Sequence, residues 1–140
     1  MYVVTSATGQ VGNVVVQKLL AAGKKVRAVS RRVTTNITQP NCEYVTADFL
    51  DAASLRNAFN NAKAIFILLP PNFDPSDDFD ETTKIINNIK TALIAAAPEK
   101  VVCLSTIGAQ AKPKSILSQL SILEKELSSL AIPITFLRAA

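Results

Sequence analysis

A glycine-containing turn near the N-terminus has residue types and spacing suited to binding an anion. The apolar residues 2–4 are followed by Thr-Ser-Ala-Thr-Gly-Gln-Val-Gly at 5–12, where a helical pattern begins. Backbone amides at a helix start have no partner within the helix, and the helix dipole adds about half a positive charge there. A glycine in such a turn lets a phosphate approach the main chain, and a second glycine lets the helix pack closely on its strand. Because Gly9 and Gly12 fit these two roles, we predict a pyrophosphate site at this turn.

Ser6 stands where a fuller glycine loop would have its first glycine. A serine is tolerated there if its φ is negative, whereas a positive φ would cost on the order of 1 kcal/mol. Two glycines three residues apart are a weak motif by themselves, and a strand-to-helix turn without a ligand is the alternative. The rest of the chain must therefore supply the context.

Two arginines, Arg31 and Arg32, directly follow the second predicted strand. In doubly wound dinucleotide-binding folds, an acid about twenty residues past the glycines binds the ribose 2′-hydroxyl of NAD, whereas a nearby arginine accommodates the 2′-phosphate of NADP. Ser30 occupies the place of that acid. Because a guanidinium forms paired, charge-assisted bonds to phosphate, the sequence favours NADP(H). The alternative is that both arginines begin a solvated loop.

Further candidates follow the third, fourth and fifth predicted strands. Asp48 is interpreted either as an acceptor for an adenine amino group, with Phe49 bordering the ring, or as a loop residue that satisfies nearby backbone amides. Ser105 lies at the predicted active-site edge or caps its loop. The predicted cofactor-binding residues are Ser6, Thr8, Gly9, Gln10, Val11, Gly12, Arg31, Arg32, Asp48, Phe49, Leu69, Pro70 and Ser105.

Composition places the chain among globular proteins of one domain. It has 140 residues, of which 49% are hydrophobic and 19% are charged. No apolar stretch reaches the roughly 18 residues of a membrane span, and the N-terminus does not resemble a signal peptide, so we expect no membrane segment and a cytoplasmic location. Cys42, in a predicted loop, and Cys103, in a predicted buried strand, are expected to be free thiols. The absence of histidine excludes His-ligated metals and His-based nucleophilic catalysis, and we predict no metal site.

Charge is distributed unevenly around a formal net charge of +4. Five cations fall within residues 24–32, and acids concentrate within residues 74–81. A positive cluster beside a phosphate-binding turn suits a small phosphorylated ligand at least as well as a duplex. Nucleic acid is therefore the less favoured partner.

The candidate residues require strands that end at one common edge. Short apolar runs predict strands at residues 2–5, 25–30, 43–46, 64–69, 100–105 and 133–137. With six strands alternating with five helices, we predict an α/β, Rossmann-like doubly wound parallel sheet of order 3-2-1-4-5-6. Ligands in such sheets lie across the carboxyl ends of the strands, here between the first and the fourth, and the candidate residues fall at that edge.

Local signals place the predicted helices. The first, at residues 11–22, should end at Gly23 and turn Val11, Val15, Leu19 and Ala22 inward. Asp51 is predicted to cap the next helix, and Asp78 with Glu81 forms a capping-box pattern before a long helix that ends at Pro98. A last helix should turn Ile116, Leu120, Leu123, Leu127 and Leu130 inward.

With these segments assembled, the sequence resembles the NmrA-like branch of the atypical short-chain dehydrogenase/reductase family. The resemblance is carried by residues 4–12, Arg31, and residues 47–49, 69–73, 105–109 and 123–138. It implies an NADP(H)-binding domain over residues 1–140, with relatives that include quinone reductases and regulatory proteins that sense the nicotinamide pool. Family members usually continue into a substrate-binding region, which the resemblance implies is lacking from residues 1–140.

The catalytic pair of short-chain dehydrogenases does not occur at the matching spacing. That pair is a tyrosine four residues before a lysine, and here Ser121 precedes Lys125. A serine hydroxyl is far too weak an acid to replace the phenol, so no catalytic residue is assigned. The hypotheses are an NADPH-dependent oxidoreductase acting on a small quinone-like substrate, a non-catalytic cofactor-sensing module and, on the basic cluster alone, a nucleic-acid binder.

The last predicted strand carries apolar residues on an open edge of the sheet. Ile134, Phe136 and Leu137 lie on it. An uncovered edge strand is a template for pairing with another chain. We therefore expect a homodimer or limited solubility.

Overall fold

A computed structural model of the chain describes residues 1–32, 38–112 and 114–140. Its strands are β1 (Tyr2–Val4), β2 (Val26–Ser30), β3 (Cys42–Thr46), β4 (Ala64–Ile67), β5 (Lys100–Thr106) and β6 (Ile134–Ala139). They form one parallel sheet in the order β3-β2-β1-β4-β5-β6, which confirms the predicted doubly wound topology. The helices are α1 (Gln10–Ala21), α2 (Ala52–Phe59), α3 (Asp80–Ala96) and α4 (Ser118–Leu127). Across the described ranges, no helix is long and apolar enough to cross a membrane.

The prediction of five helices is wrong for the part of the chain that the structure describes. Four α-helices occur there, and the described part of the β2–β3 connection forms no α-helix. Its second half, from residue 38, is short and closes in an isolated bridge between Gln39 and Cys42. Residues 33–37 and Pro113, which belong to predicted loops, lie outside the described residues.

The two faces of the sheet bury separate apolar clusters, because successive side chains of a strand point to opposite sides. The larger cluster joins Val3, Ile65 and Val101 of the sheet to α2, α3 and α4. The smaller one joins Val4 and Val26 to α1, and other residues complete both clusters. The helices cover the two faces of the sheet and leave the carboxyl ends of the strands uncovered, next to the N-termini of the helices.

The inward face of α1 differs from the prediction. Val11 is 44% exposed and Ala22 is exposed, whereas the fully buried positions of the helix are Gly12 and Val16. Valines at positions 11, 14, 15 and 16 allow more than one apolar stripe along this helix. The close approach of Gly12 to the preceding turn selects the stripe that contains Gly12 and Val16. The predicted stop is confirmed, because Gly23 follows the helix with φ +71°.

The predicted capping box of Asp78 and Glu81 is wrong. Helix α3 begins at Asp80, after Phe79 with φ +53°, and no side chain caps it from the N-cap position. The Asp80 amide instead donates to Ser76 Oγ at 3.1 Å. A serine four residues upstream reaches this amide because the left-handed residue Phe79 turns the chain back on itself.

The predicted cap of α2 is confirmed, and the predicted inward face of the last helix is confirmed in part. Asp51 caps α2 by accepting hydrogen bonds from the amides of Ala53 and Ser54. On α4, Leu123 and Leu127 are buried, whereas Ile116, predicted to point inward, is 46% exposed because it precedes the helix.

Both cysteines are free thiols, as predicted. Cys103 is buried in β5, and burial raises the pKa of its thiol to about 12. Cys42 begins β3 and is half-buried, so its placement in a loop was wrong. Burial raises the pKa of the Cys42 thiol as well.

Candidate functional site

A cleft of about 510 Å³ lies at the carboxyl edge of the sheet, across the ends of β1, β2, β3 and β4. This is the switch point of the strand order, where connections leave β1 and β4 in opposite directions. The predicted residues that line the cleft are Ser6, Thr8, Gly9, Arg31, Arg32, Phe49, Leu69 and Pro70. The structure thus brings together residues that are up to 64 positions apart in the chain.

The turn between β1 and α1 forms one wall of the cleft. Gly9 is the N-cap of α1, and no side chain caps the helix. Gln10 and Val11 do not line the cleft but are exposed in the first helical turn beside it. Uncapped amides at a helix start can bind a phosphate, so the turn has the geometry of an anion site.

Gly12 is required by close packing and not by its own backbone angle. A Cβ built on Gly12 would lie 2.2 Å from the carbonyl oxygen of Ser6, which no side chain allows. A Cβ on Gly9 would lie 3.3 Å from the same oxygen, and Gly9 has an ordinary extended φ of −78°. Gly12 therefore lets α1 sit against the turn, as predicted.

Ser6 adopts the strained alternative considered from the sequence, with φ +51°. Its hydroxyl donates to the carbonyl of Leu68 at 3.0 Å. The fully buried Thr5 assists, because its Oγ1 accepts from the Leu68 amide at 2.9 Å and donates to the Phe66 carbonyl at 3.2 Å. These bonds tie the turn to the end of β4, an arrangement that the sequence did not reveal.

Arg31 and Arg32 are exposed at the mouth of the cleft. Ser30 stands beside them, and its hydroxyl donates to the carbonyl of Arg32 at 2.6 Å. Arg27, from the same basic cluster, has a structural role instead: it pairs with Glu43 and donates to the carbonyl of Ala58 at 2.8 Å. Of the five cations in this cluster, Arg27 therefore has a structural role, and Arg31 and Arg32 lie at the cleft.

Asp48 and Phe49 border a second cavity of about 270 Å³ that shares Arg31 and Phe49 with the cleft. Asp48 Oδ1 accepts from the Leu50 amide at 2.9 Å, which is the local role considered for it. Phe49 is 7% exposed, and its carbonyl accepts from Asn88 Nδ2 at 2.9 Å. The Phe49 ring thus forms a fixed apolar wall between the two cavities.

Ser105 does not line the cleft but lies, with Leu69 and Pro70, in an apolar cavity of about 210 Å³ between β4, β5 and α4. Its hydroxyl donates to Glu124 Oε1 at 2.6 Å. Arg138 binds both oxygens of the same carboxylate, at 3.0 Å and 2.6 Å, and holds the pKa of Glu124 below its ordinary value. Because the Ser105 proton is directed to Glu124, the hydroxyl can offer only its lone pairs to a ligand.

Gln119 was not predicted as a site residue, but it is 4% exposed and lines both smaller cavities. Its side-chain amide bonds to Thr82 and to the carbonyl of Asn72. A signal existed, because residue 119 lies on the apolar stripe of Ile116 and Leu123, and a polar residue on a buried face must have hydrogen-bond partners.

The structure places no acid group at the spacing of the dehydrogenase pair. Ser121 is half-buried and Lys125 is exposed, and neither lines the three cavities. In the parts of the chain that the structure describes, no group of three or more His, Cys, Asp or Glu residues is arranged to hold a metal ion.

A doubly wound sheet with a glycine turn and a cleft at the switch point defines the dinucleotide-binding class of α/β domains. A model of the NAD(P)H-binding family matches residues 6–129. The chain therefore belongs to this NAD(P)H-binding family. A search of curated proteins finds no significant match.

Solved structures share the fold. Triphenylmethane reductase from Citrobacter sp., complexed with NADP(H), is 25% identical with a TM-score of 0.84, over 99% of this chain and 49% of that one. An NADPH-dependent quinone oxidoreductase from Escherichia coli, complexed with NADPH, is 22% identical with a TM-score of 0.76, over 99% of this chain and 48% of that one. A nucleoside-diphosphate-sugar epimerase from Staphylococcus aureus is 16% identical with a TM-score of 0.82, over 98% of this chain and 49% of that one. The chain spans about half the length of these structures.

Proposed function

We propose that the cleft binds NADP(H) in preference to NAD(H), as the cofactor domain of an NADPH-dependent reductase of the NmrA-like, atypical short-chain dehydrogenase type. The observation that carries the proposal is the position of Arg31 and Arg32 at the mouth of a cleft that also contains the glycine turn. Ser30 contributes no carboxylate there, so a 2′-phosphate meets two cations and no negative charge from the end of β2. Similarity to the Citrobacter reductase, whose structure contains NADP(H), supports the same choice.

The proposed substrate is a small, uncharged, quinone-like acceptor. The 210 Å³ cavity beside Ser105 is lined mainly by apolar side chains, among them Leu104, Leu117 and Leu120, and its lining includes no ionisable group. Such a lining favours a planar apolar molecule over a charged one. Reduction of a quinone by hydride transfer produces a stabilised oxyanion, so a dedicated acid is less necessary than for an alcohol dehydrogenase.

A cofactor-sensing module without turnover is the second candidate. The observation that favours it is Ser121 at the position of the dehydrogenase phenol, together with cavity linings that contain no tyrosine. NADPH oxidation measured with a panel of quinones distinguishes the two. Turnover above the enzyme-free rate supports the reductase, and tight NADP(H) binding without turnover supports the sensor.

Calorimetric titration with NADP(H) and NAD(H) tests the cofactor proposal. Arg31→Ala should weaken NADP(H) binding by about 1.5 to 3 kcal/mol, the range for hydrogen bonds to a charged group, and leave NAD(H) binding nearly unchanged. Arg56→Ala is the matched control, because it removes the same charge from the exposed end of α2, away from the cleft. Equal affinities of the unmodified protein for the two cofactors would contradict the proposal.

We also propose that β6 pairs copies of the chain. Among the described residues, β6 has one strand neighbour, β5, and Leu137 on it is 54% exposed. An open apolar edge favours pairing with another strand. Light scattering should show a dimer that Leu137→Lys converts to a monomer, and a monomer at high concentration in the unmodified protein would reject the proposal.

A cytoplasmic location is our proposal on the basis of the thiols. Cys42 and Cys103 are free, and disulfides are rare in the reducing cytosol. Fractionation of cells that produce the native protein tests this location.

A further inference from the structure

The segment 68–72, which follows β4, is a wall shared by three cavities. Leu69, Pro70 and Pro71 line the 510 Å³ cleft, the 270 Å³ cavity and the 210 Å³ cavity alike. The two prolines have fixed φ angles and no amide hydrogen, so they cannot be held by a strand ladder. The position of this wall therefore depends on how its two ends are held.

The N-terminal end of the wall is held from β1 and the glycine turn. Thr5 and Ser6 bond the amide and the carbonyl of Leu68, at 2.9 Å and 3.0 Å. The C-terminal end is held from α4, because Gln119 Nε2 donates to the carbonyl of Asn72 at 2.8 Å. Stiff prolines between two fixed ends make the segment move as one piece.

The amide of Gln119 has its orientation set by its surroundings. A backbone carbonyl can only accept, so the amide nitrogen must face Asn72. The amide oxygen then accepts from Thr82 Oγ1 at 2.9 Å. Gln119 and Thr82 are 4% and 2% exposed, so water cannot readily replace the bond between their side chains.

The wall follows β4, toward which the nicotinamide half of a dinucleotide must extend, and its residues 69–71 also border the cavity that contains Arg31 and Asp48. The pyrophosphate belongs at the start of α1, and the 2′-substituted ribose is recognised at the end of β2. The other half of the cofactor therefore points the opposite way along the edge, toward β4 and β5. Gln119 lines the two smaller cavities and does not line the 510 Å³ cleft.

We propose that Gln119 is a positioning residue for the nicotinamide half of the cofactor, acting through its bond to the Asn72 carbonyl. It fixes the wall 68–72 against which the nicotinamide ring is seated. The inference rests on the proposed function, because it requires that the cleft binds NADP(H).

Two ligands separate the halves of the site: NADPH, and 2′,5′-ADP, which carries the 2′-phosphate and adenosine but no nicotinamide. Gln119→Met keeps the length of the side chain and removes both the donor to Asn72 and the acceptor of the Thr82 hydroxyl. We expect it to weaken NADPH binding about tenfold, as for the loss of one positioning hydrogen bond, while 2′,5′-ADP binding changes by less than about twofold. Reduced nicotinamide is excited at wavelengths where the protein does not absorb, so the emission of bound NADPH is observed directly. Its blue shift on binding should be lost in the variant.

Asn88→Leu is the matched control. Asn88 Nδ2 also donates from a helix to a backbone carbonyl, that of Phe49, at 2.9 Å, but on the adenosine side. This variant should change both affinities by the same factor and preserve the blue shift. Gln119→Asn retains an amide on a shorter side chain. It should give an intermediate change in the ratio of the NADPH affinity to the 2′,5′-ADP affinity. This variant provides the test if Gln119→Met does not fold.

The outcomes are distinguishable from a failure of the proposed function. If the unmodified protein binds neither ligand, the cofactor proposal itself is wrong. If it binds both, and the Gln119 variants leave the ratio of the two affinities unchanged, the cofactor proposal stands and the role of Gln119 is rejected. An equal change of the ratio in Asn88→Leu would reject it as well.

Discussion

The two ends of the edge cleft are built by different means. At the start of α1 the chain itself forms the site, because backbone amides are exposed by a tight turn whose parts are close in sequence. Beyond β4 the site depends on side chains that join distant elements, such as Gln119 to Asn72 and Ser105 to Glu124. The first end should therefore be sensitive to added volume, and the second to the loss of single polar groups.

Gly12→Ala should give the largest effect, because it adds volume to the backbone-built end. Its Cβ would lie 2.2 Å from the Ser6 carbonyl oxygen, so α1 must shift. We expect the free energy of unfolding in urea to fall by about 3 kcal/mol or more, with loss of NADP(H) binding. Gly9→Ala is the comparison, and it should cost only about 1 kcal/mol in stability, because its Cβ would lie 3.3 Å from the Ser6 carbonyl oxygen, a tight contact that a small shift relieves. Equal effects of the two substitutions would contradict the role given to Gly12.

Thr5→Val tests the hydrogen bonds that connect the turn after β1 to the end of β4. Valine keeps the shape of the side chain, but the half-buried Leu68 amide loses its acceptor and the Phe66 carbonyl loses a donor. We expect a loss of about 2 kcal/mol in the free energy of unfolding, as for two hydrogen bonds of about 1 kcal/mol each. Thr91→Val is the control, because the Thr91 hydroxyl bonds within an exposed turn of α3 and its removal should have little effect. A stability unchanged by Thr5→Val would show that water reaches this amide.

Arg138→Ala should have a smaller, pH-dependent effect at the side-chain-built end. Arg138 holds the pKa of Glu124 below its ordinary value of 4.5 in the folded protein. The stability that this pair contributes is therefore fully present above that ordinary value and is lost as the pH falls through the lower, folded-state pKa. Urea unfolding at a series of pH values should show the difference between variant and unmodified protein shrinking in acid. A difference that persists unchanged in acid would mean that Arg138 acts by packing alone.

Ser6→Gly should have the smallest effect. Glycine relieves the left-handed strain at φ +51°, worth about 1 kcal/mol, but loses a hydrogen bond of similar worth to the Leu68 carbonyl. The two terms should cancel to within about 0.5 kcal/mol in the free energy of unfolding. Ser6→Ala, which loses the bond and keeps the strain, should be less stable than Ser6→Gly by about 1 kcal/mol. The reverse order would show that Ser6 is not strained.

The same contrast explains what the sequence could predict. The glycine turn and the arginines after β2 were found because each depends on residue types at short, fixed spacings. The strand order followed from the alternation of apolar runs with helical patterns. By contrast, the bond from Gln119 to Asn72 joins residues 47 positions apart and has no periodic signature.

Two local predictions were wrong because a backbone contact or angle, which the sequence pattern does not show, determines the structure. The inward face of α1 was misplaced because its valines allow more than one stripe and a backbone contact of Gly12 selects between them. The cap of α3 was misplaced because a left-handed residue, Phe79, redirects the chain before the helix. In both cases a backbone contact or angle overrode the side-chain pattern.

The two thiols have a consequence for a protein that handles a hydride carrier. Peroxides and disulfides react with the thiolate, and burial keeps the Cys103 thiol protonated near neutral pH, with a pKa of about 12. The Cys42 thiol is shifted in the same direction. Its two thiols are therefore poor targets for oxidants near neutral pH, and the coenzyme is the part of the complex whose oxidation state would follow that of its surroundings.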